Sequence, residues 1–288
     1  MSDVNNLMIA GQAGKLSVRT KGLAAKPAQV VILVQGANMS GQMGYDFTFP
    51  GSTDYSMMDA FVAAGFGVVT FSVRGYALSE GPADLFTVQT EQAIEDLGSV
   101  VDWVRAELGY KKPDLLGWSW GGRITGRYVG EHADKVGRLI MLDPALGGGN
   151  KVLPVPTDAT WLNTYDYFKD RLVAEFTDPA VQELLAQRMQ NEELKSPNGI
   201  RMENAIGSKA TDPSKVTVPT MMSYGIKAGA QNYMHGGWDR LKFFEALPNP
   251  DKTFSIIPGG GDYAHLEQAR TRLFADCVHF LKAGQYSQ

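Results

Sequence analysis

The chain has a single cysteine, Cys277, among its 288 residues. An intrachain disulfide is impossible, and nothing argues for an oxidising compartment. No tract of several Lys and Arg residues occurs, and the net charge is a mild −4. Nucleic acid and anionic membrane are therefore not expected partners. For the same reason, no cationic cluster points to a phosphorylated or strongly anionic substrate. No apolar run approaches the length of a membrane span. Residues 1–10 lack a basic segment followed by an apolar one, so no signal peptide is expected and the chain reads as cytoplasmic. No His/Cys/carboxylate spacing fits a metal, and no glycine-rich strand-to-helix fingerprint fits a dinucleotide, so no metal or other cofactor is expected. The expected partner is a small-molecule substrate. Oligomeric state is not legible.

What the chain does have is an ordinary globular composition, 44% hydrophobic and 20% charged. Its length suffices for one large core with an inserted lid. Lys15 to Thr20 alternates apolar and polar, as a short antiparallel strand does. Gln29 to Val34 and Gly67 to Val73 are continuous apolar runs, the signature of strands buried on both faces. Between Gln89 and Leu108, apolar residues recur at three and four, the stripe of a helix packed on a sheet. A short strand from Pro113 runs into Gly117-Trp118-Ser119-Trp120-Gly121-Gly122, and a helix follows to about His132. Arg138 to Leu142 is another strand, ending at Asp143-Pro144. The strand–helix rhythm then stops until Val216 to Tyr224. It closes with a helix near Trp238 to Ala246, a strand at Thr253 to Ile257 and a helix from Leu266 to Leu281. Alternating strands and helices predict an α/β fold, a mostly parallel sheet with helices on both faces. Residues 145–213, with helical patches but no buried strand, read as a cap inserted into a core formed by 1–144 and 214–288.

Gly117-Trp118-Ser119-Trp120-Gly121 matches G-x-S-x-G between a strand and a helix. A serine hydroxyl is a poor nucleophile until it is held clear of the backbone beside a base. A sharp strand-to-helix turn lifts it, at the cost of a strained conformation. Small residues are needed two before and two after, because strand and helix approach closely there. The helix also aims its N-terminus at the site, and the Trp120 amide can donate to an oxyanion.

With Gln35-Gly36, Arg74 to Ser79, Gly117 to Gly122 and Pro258 to His265 as landmarks, the chain resembles the α/β-hydrolase fold family along nearly its whole length. The resemblance implies a serine hydrolase with Ser119 as nucleophile and His265 as general base. It also implies a second oxyanion donor after the third strand. There the family usually has His-Gly, and this chain has Gln35-Gly36, so the role passes to the backbone amide of Ala37. His235 is the competing base. The usual acid position, in 223–232, holds no Asp or Glu. The acid is expected instead at Asp143, one strand earlier. Asp239, Asn232 and no acid at all are the alternatives, with Ala228 as the vacant usual place. Asn38, Tyr45, Trp118, Trp161 and His235 are the expected substrate-binding residues, although about half of the aromatics near the site would simply pack the cap onto the body. Such a site suits a medium-sized, largely apolar ester, thioester or lactone. Alternatives are an amide or carbon–carbon bond, since Trp120-Gly121-Gly122 resembles proline iminopeptidases, or a lyase or non-catalytic binder on the same fold.

Overall fold

The apolar runs become the inner strands of an eight-stranded sheet. The computed structural model describes residues 3–52, 54–148, 154–228 and 240–283. The strands are β1 (Val4–Gly11), β2 (Gly14–Lys21), β3 (Val30–Val34), β4 (Gly67–Phe71), β5 (Asp114–Trp118), β6 (Leu139–Leu142), β9 (Thr220–Gly225) and β10 (Lys252–Ile257). They lie in the order β1-β2-β4-β3-β5-β6-β9-β10. β1, β2 and β4 pair antiparallel, and every pairing from β4 to β10 is parallel. β3, β4, β5 and β6 are buried at every residue, which is why β3 and β6 read as unbroken apolar runs and β4 and β5 as nearly so, Thr70 and Asp114 being their polar members. β1 was not expected. It is an edge strand whose side chains are mostly exposed, Val4 and Met8 among them, with Ile9 its one buried residue.

Helices cover both faces. α1 (Gly41–Tyr45), α2 (Met57–Ala63) and α9 (Arg270–Ala283) share one apolar layer, in which Met57, Phe61 and Leu273 meet Leu33 and Leu116. α3 (Thr90–Glu107) and α4 (Trp120–His132) share the other, where Leu97, Val101 and Ile124 meet Ile32 and Leu115. α8 (Arg240–Glu245) adds Phe243 to this second layer. At β3 and β5 the two layers alternate residue by residue, as period-two side chains require.

β6 and β9 pair directly, with Leu139 opposite Thr220. The chain between them therefore leaves the sheet and returns to it. It carries α5 (Tyr165–Lys169), α6 (Pro179–Glu192) and α7 (Gly199–Ile206). It also carries a two-stranded antiparallel ribbon, β7 (Thr160–Leu162) with β8 (Lys195–Pro197). Three-residue strands are too short to register as a periodic pattern, so the expectation of helical patches alone missed this ribbon. Among the described residues, no helix is long and apolar enough to cross a membrane.

Candidate active site

Ser119 sits between β5 and α4 with φ 54° and ψ −114°. Few non-glycine residues adopt a positive φ, and this one is held from both sides. Its amide donates to the Leu142 carbonyl at 2.9 Å, and its own carbonyl accepts from Gly122 and Ala145 at 3.0 and 2.9 Å. The glycines explain how the turn fits. A Cβ on Gly117 would lie 2.2 Å from the Gly121 carbonyl oxygen, and one on Gly121 would lie 2.2 Å from that of Val34. A Cβ on Gly122 would lie 2.5 Å from Pro144. Backbone meets backbone at all of these places except Pro144, so only hydrogen fits.

The β3–α1 loop runs beside this turn. Gln35 anchors it, its Oε1 accepting from the Val73 amide at 3.0 Å. This is the work of the side chain that stands where the family usually has histidine. The Tyr76 hydroxyl donates to the Ala37 carbonyl at 2.8 Å, and Asn163 donates to the Asn38 carbonyl at 2.8 Å. The loop is therefore pinned through its carbonyls. The amides of Ala37 and Trp120 have no acceptor among the described residues. One unspent donor follows the serine at the N-terminus of α4, and the other lies on the loop that packs against that helix at Gly121.

His265 is wholly buried, and neither ring nitrogen has a hydrogen-bond partner among the described residues. Its ring meets the edge of Trp118 at 4.5 Å between centroids, with Tyr45 at 5.9 Å and Tyr263 stacked at 6.3 Å. Burial among these rings pushes the imidazole down to about 3. Asp143 also has a positive φ, 40°, and its amide donates to the Ser223 carbonyl at 2.8 Å. Both carboxyl oxygens are buried without a hydrogen-bond partner among the described residues. Burial first, and then the nearby Asp262, hold its pKa well above the carboxylate range. The expected hydrogen bond from His265 to Asp143 is absent, as is one from Ser119 to His265. The physical reason is that the His265 ring is seated in the aromatic wall made by Trp118 and Tyr263. Asp143 instead lies near the Gly225 amide, within electrostatic reach of Asp262, Arg240 and Glu267.

Of the expected substrate-binding residues, Tyr45 is wholly buried and its hydroxyl donates to the Val34 carbonyl at 2.7 Å. Trp118 is likewise buried, its indole N–H donating to the Asp262 carbonyl at 2.7 Å. Both lie in the packing beneath the loop. Asn38 and Trp161 stand at the junction with the 145–213 segment. Asn38 Nδ2 donates to the Tyr167 hydroxyl at 2.9 Å, and Trp161 stacks beneath a guanidinium. His235, Asn232 and Asp239 lie outside the described residues. His132 rests 4.7 Å from the Tyr128 ring. His279 is exposed on α9. Among the described residues, no group of three or more His, Cys, Asp or Glu side chains could hold a metal ion.

A family model for the alpha/beta hydrolase fold matches residues 29–199, more than half of the chain. The chain belongs to the α/β-hydrolase family. One relative is a 2-hydroxy-6-oxononadienedioate/2-hydroxy-6-oxononatrienedioate hydrolase of Paraburkholderia phymatum. It is 24% identical over 263 residues, 85% of this chain and 84% of that one. Epoxide hydrolase 3 of Xenopus tropicalis is 28% identical over 136 residues, but these are 46% of this chain and 34% of that protein. A second oxononadienedioate hydrolase, from a Pseudomonas species, is matched over 41% of its length. In fold the hydrolase is similar to the enol-lactonase of Burkholderia xenovorans, with TM-score 0.70 and 15% identity over 96% of this chain and all of that one. It is also similar to a thioesterase domain of the curacin biosynthetic pathway, with TM-score 0.68 and 14% identity over 96% and 99%.

The structure also assembles a group that sequence reading missed. Arg171, in the turn after α5, donates to Tyr167, and Arg201, on α7, donates to Asn38. No run of basic residues marks them. Arg171 follows the aromatic cluster of Trp161, Tyr165, Tyr167 and Phe168, but Arg201 stands far along the chain from it, so no local pattern joins the two.

Proposed function

We propose that this hydrolase cleaves a carboxylic ester, thioester or lactone through an acyl-enzyme on Ser119. The observation that carries the reading is the positive-φ serine beside two unspent backbone amides, those of Ala37 and Trp120. Ser119 Oγ attacks the acyl carbon and gives its proton to His265. The carbonyl oxygen, now an anion, accepts from the two amides. His265 returns the proton to the leaving oxygen or sulfur, and the C–O or C–S bond breaks. Water then attacks the acyl-enzyme with His265 again as base and regenerates Ser119. Asp143 is the proposed orienting acid. Its role requires the imidazole to turn from the Trp118 edge so that one nitrogen meets the carboxylate and the other meets Ser119. The 145–213 segment is the proposed cap. Activity on p-nitrophenyl esters and lactones, lost in Ser119→Ala, is the expected result; undiminished turnover by that variant would end the proposal.

The names of the relatives favour a second reading. 2-Hydroxy-6-oxononadienedioate carries a ketone and two carboxylates but no ester. In such a reaction Ser119 Oγ adds to the ketone and gives its proton to His265, the two amides hold the oxyanion, and the adjoining carbon–carbon bond breaks with its electron pair leaving on the conjugated carbon, which takes the proton back from His265. Turnover of vinylogous diketones without turnover of esters would favour that reading.

A further inference from the structure

Arg201 projects from α7 at the junction between the 145–213 segment and the body and is mostly buried. Its Nη2 donates to Asn38 Oδ1 at 2.5 Å, and its Nη1 reaches Asn198 Oδ1 at 3.5 Å. Its guanidinium stacks on the Trp161 ring at 3.9 Å. Every partner among the described residues is neutral. Among the described residues, no carboxylate lies within salt-bridge reach of Arg201. Glu193, the acid of the same junction, is committed to Ser40, accepting from both its amide and its hydroxyl. A second cation stands close by. Arg171 donates to the Tyr167 hydroxyl and stacks on that ring at 4.2 Å, and Trp161 and Tyr167 meet edge to face at 5.2 Å. Burial above all, and the Arg171 charge to a smaller degree, pull the Arg201 guanidinium below its ordinary value. Removing a cation from water without an anion is costly, and proteins rarely do it without compensation.

The mounting is rigid. Two residues beyond Arg201, Glu203 accepts from the Thr90 amide at 2.8 Å and hydroxyl at 2.6 Å. The same Thr90 hydroxyl accepts from the Trp120 indole at 3.0 Å. At the start of α7, a Cβ on Gly199 would lie 2.2 Å from the Val88 carbonyl oxygen. The helix that carries Arg201 is thus tied to the residue that follows Ser119. The residue Arg201 grips, Asn38, directly follows Ala37. A planar guanidinium suits a planar carboxylate, presenting two parallel donors to two oxygens.

We propose that Arg201, with Arg171 beside it, binds a free carboxylate of the substrate, so that the acid cleaved at Ser119 is the half-ester, half-thioester or lactone of a dicarboxylic acid. Asn38 holds the guanidinium in place until the substrate arrives. This rests on the hydrolase reading and adds the charge of the substrate to it.

The test compares p-nitrophenyl hemisuccinate, hemiglutarate and hemiadipate with neutral p-nitrophenyl esters of matched length. The expected result is a higher kcat/KM for at least one hemi-ester, with the carboxylate-to-neutral ratio falling about 10- to 100-fold in Arg201→Gln, the range of charge-assisted hydrogen bonds. Arg201→Lys should recover part of the ratio, and circular dichroism checks that each variant is folded. A ratio that is the same in wild type and both variants overturns the proposal, even if overall activity falls. If wild type cleaves none of the esters, the hydrolase reading fails on its own, and calorimetric titration with monomethyl glutarate against dimethyl glutarate decides the site. Tighter binding of the monoacid by wild type, abolished in Arg201→Gln, sustains the proposal; equal binding overturns it.

Discussion

Gly121→Ala tests the elbow through its packing. The added methyl would lie 2.2 Å from the Val34 carbonyl oxygen, 2.6 Å from that of Gln35 and 2.9 Å from the Val34 carbonyl carbon. Ordinary carbon contacts begin near 3.5 Å, so strand β3 and helix α4 must separate by about 1 Å. Overpacking of this kind costs roughly 1–3 kcal/mol. At about 2–4 °C per kcal/mol, the melting midpoint should fall by roughly 2–12 °C. Val34 and Gln35 lead directly into Ala37, so the proposed oxyanion donor moves with them. A misplacement of about 1 Å can cost about 100-fold in turnover. Differential scanning calorimetry and ester turnover measure the two effects. Gly98→Ala is the control. Its methyl would meet only Tyr128 Cε2 at 3.6 Å, within helix α3, and the change should stabilise by roughly 0.5–1 kcal/mol. A Gly121→Ala protein that melts like wild type and keeps its turnover within about threefold would refute the close strand–helix approach.

Three further outcomes are expected. Ser119→Gly should abolish turnover yet raise the melting midpoint above that of Ser119→Ala, since glycine adopts φ 54° without the roughly 1–3 kcal/mol of strain; equal midpoints would remove strain from the account. Asp143→Asn should lower turnover by up to about 10⁴-fold if the carboxylate orients His265, while Asp239→Asn has little effect; the reverse pattern would move the acid to Asp239. Glu267 accepts from the Val173 and Gly261 amides, and burial pushes its carboxyl up to about 7. Because this value is above the unfolded one, the stabilisation is complete below about pH 4.5 and is lost as pH rises through 7. The midpoint of Glu267→Gln relative to wild type should therefore climb between those pH values, and a constant difference would contradict the shift.

Local signals made the sheet and the nucleophile legible. β3 and β4 are covered on both faces, so burial writes itself into five successive apolar residues in β3 and all but Thr70 in β4. Ser119 needs glycines at fixed offsets within one turn, and that demand also lies along the chain. β1 escaped notice because its apolar residues, Leu7 to Ala10, run together without alternation, and as an edge strand it buries only Ile9. The arginine pair escaped because Arg171 and Arg201 come together only when the 145–213 segment folds over the body. The His265 environment was equally illegible: its loop could be placed at the end of β10, but the Trp118 edge it rests on belongs to β5, three strands away in the sheet.

The central claim is that Ser119 is the acylated residue, and active-site labelling tests it most directly. The protein is incubated with a fluorophosphonate, digested and mapped by mass spectrometry. The account predicts one adduct, on the peptide containing Ser119, formed much more slowly in His265→Ala. An adduct on another residue, or none on protein that turns over ester, would contradict it.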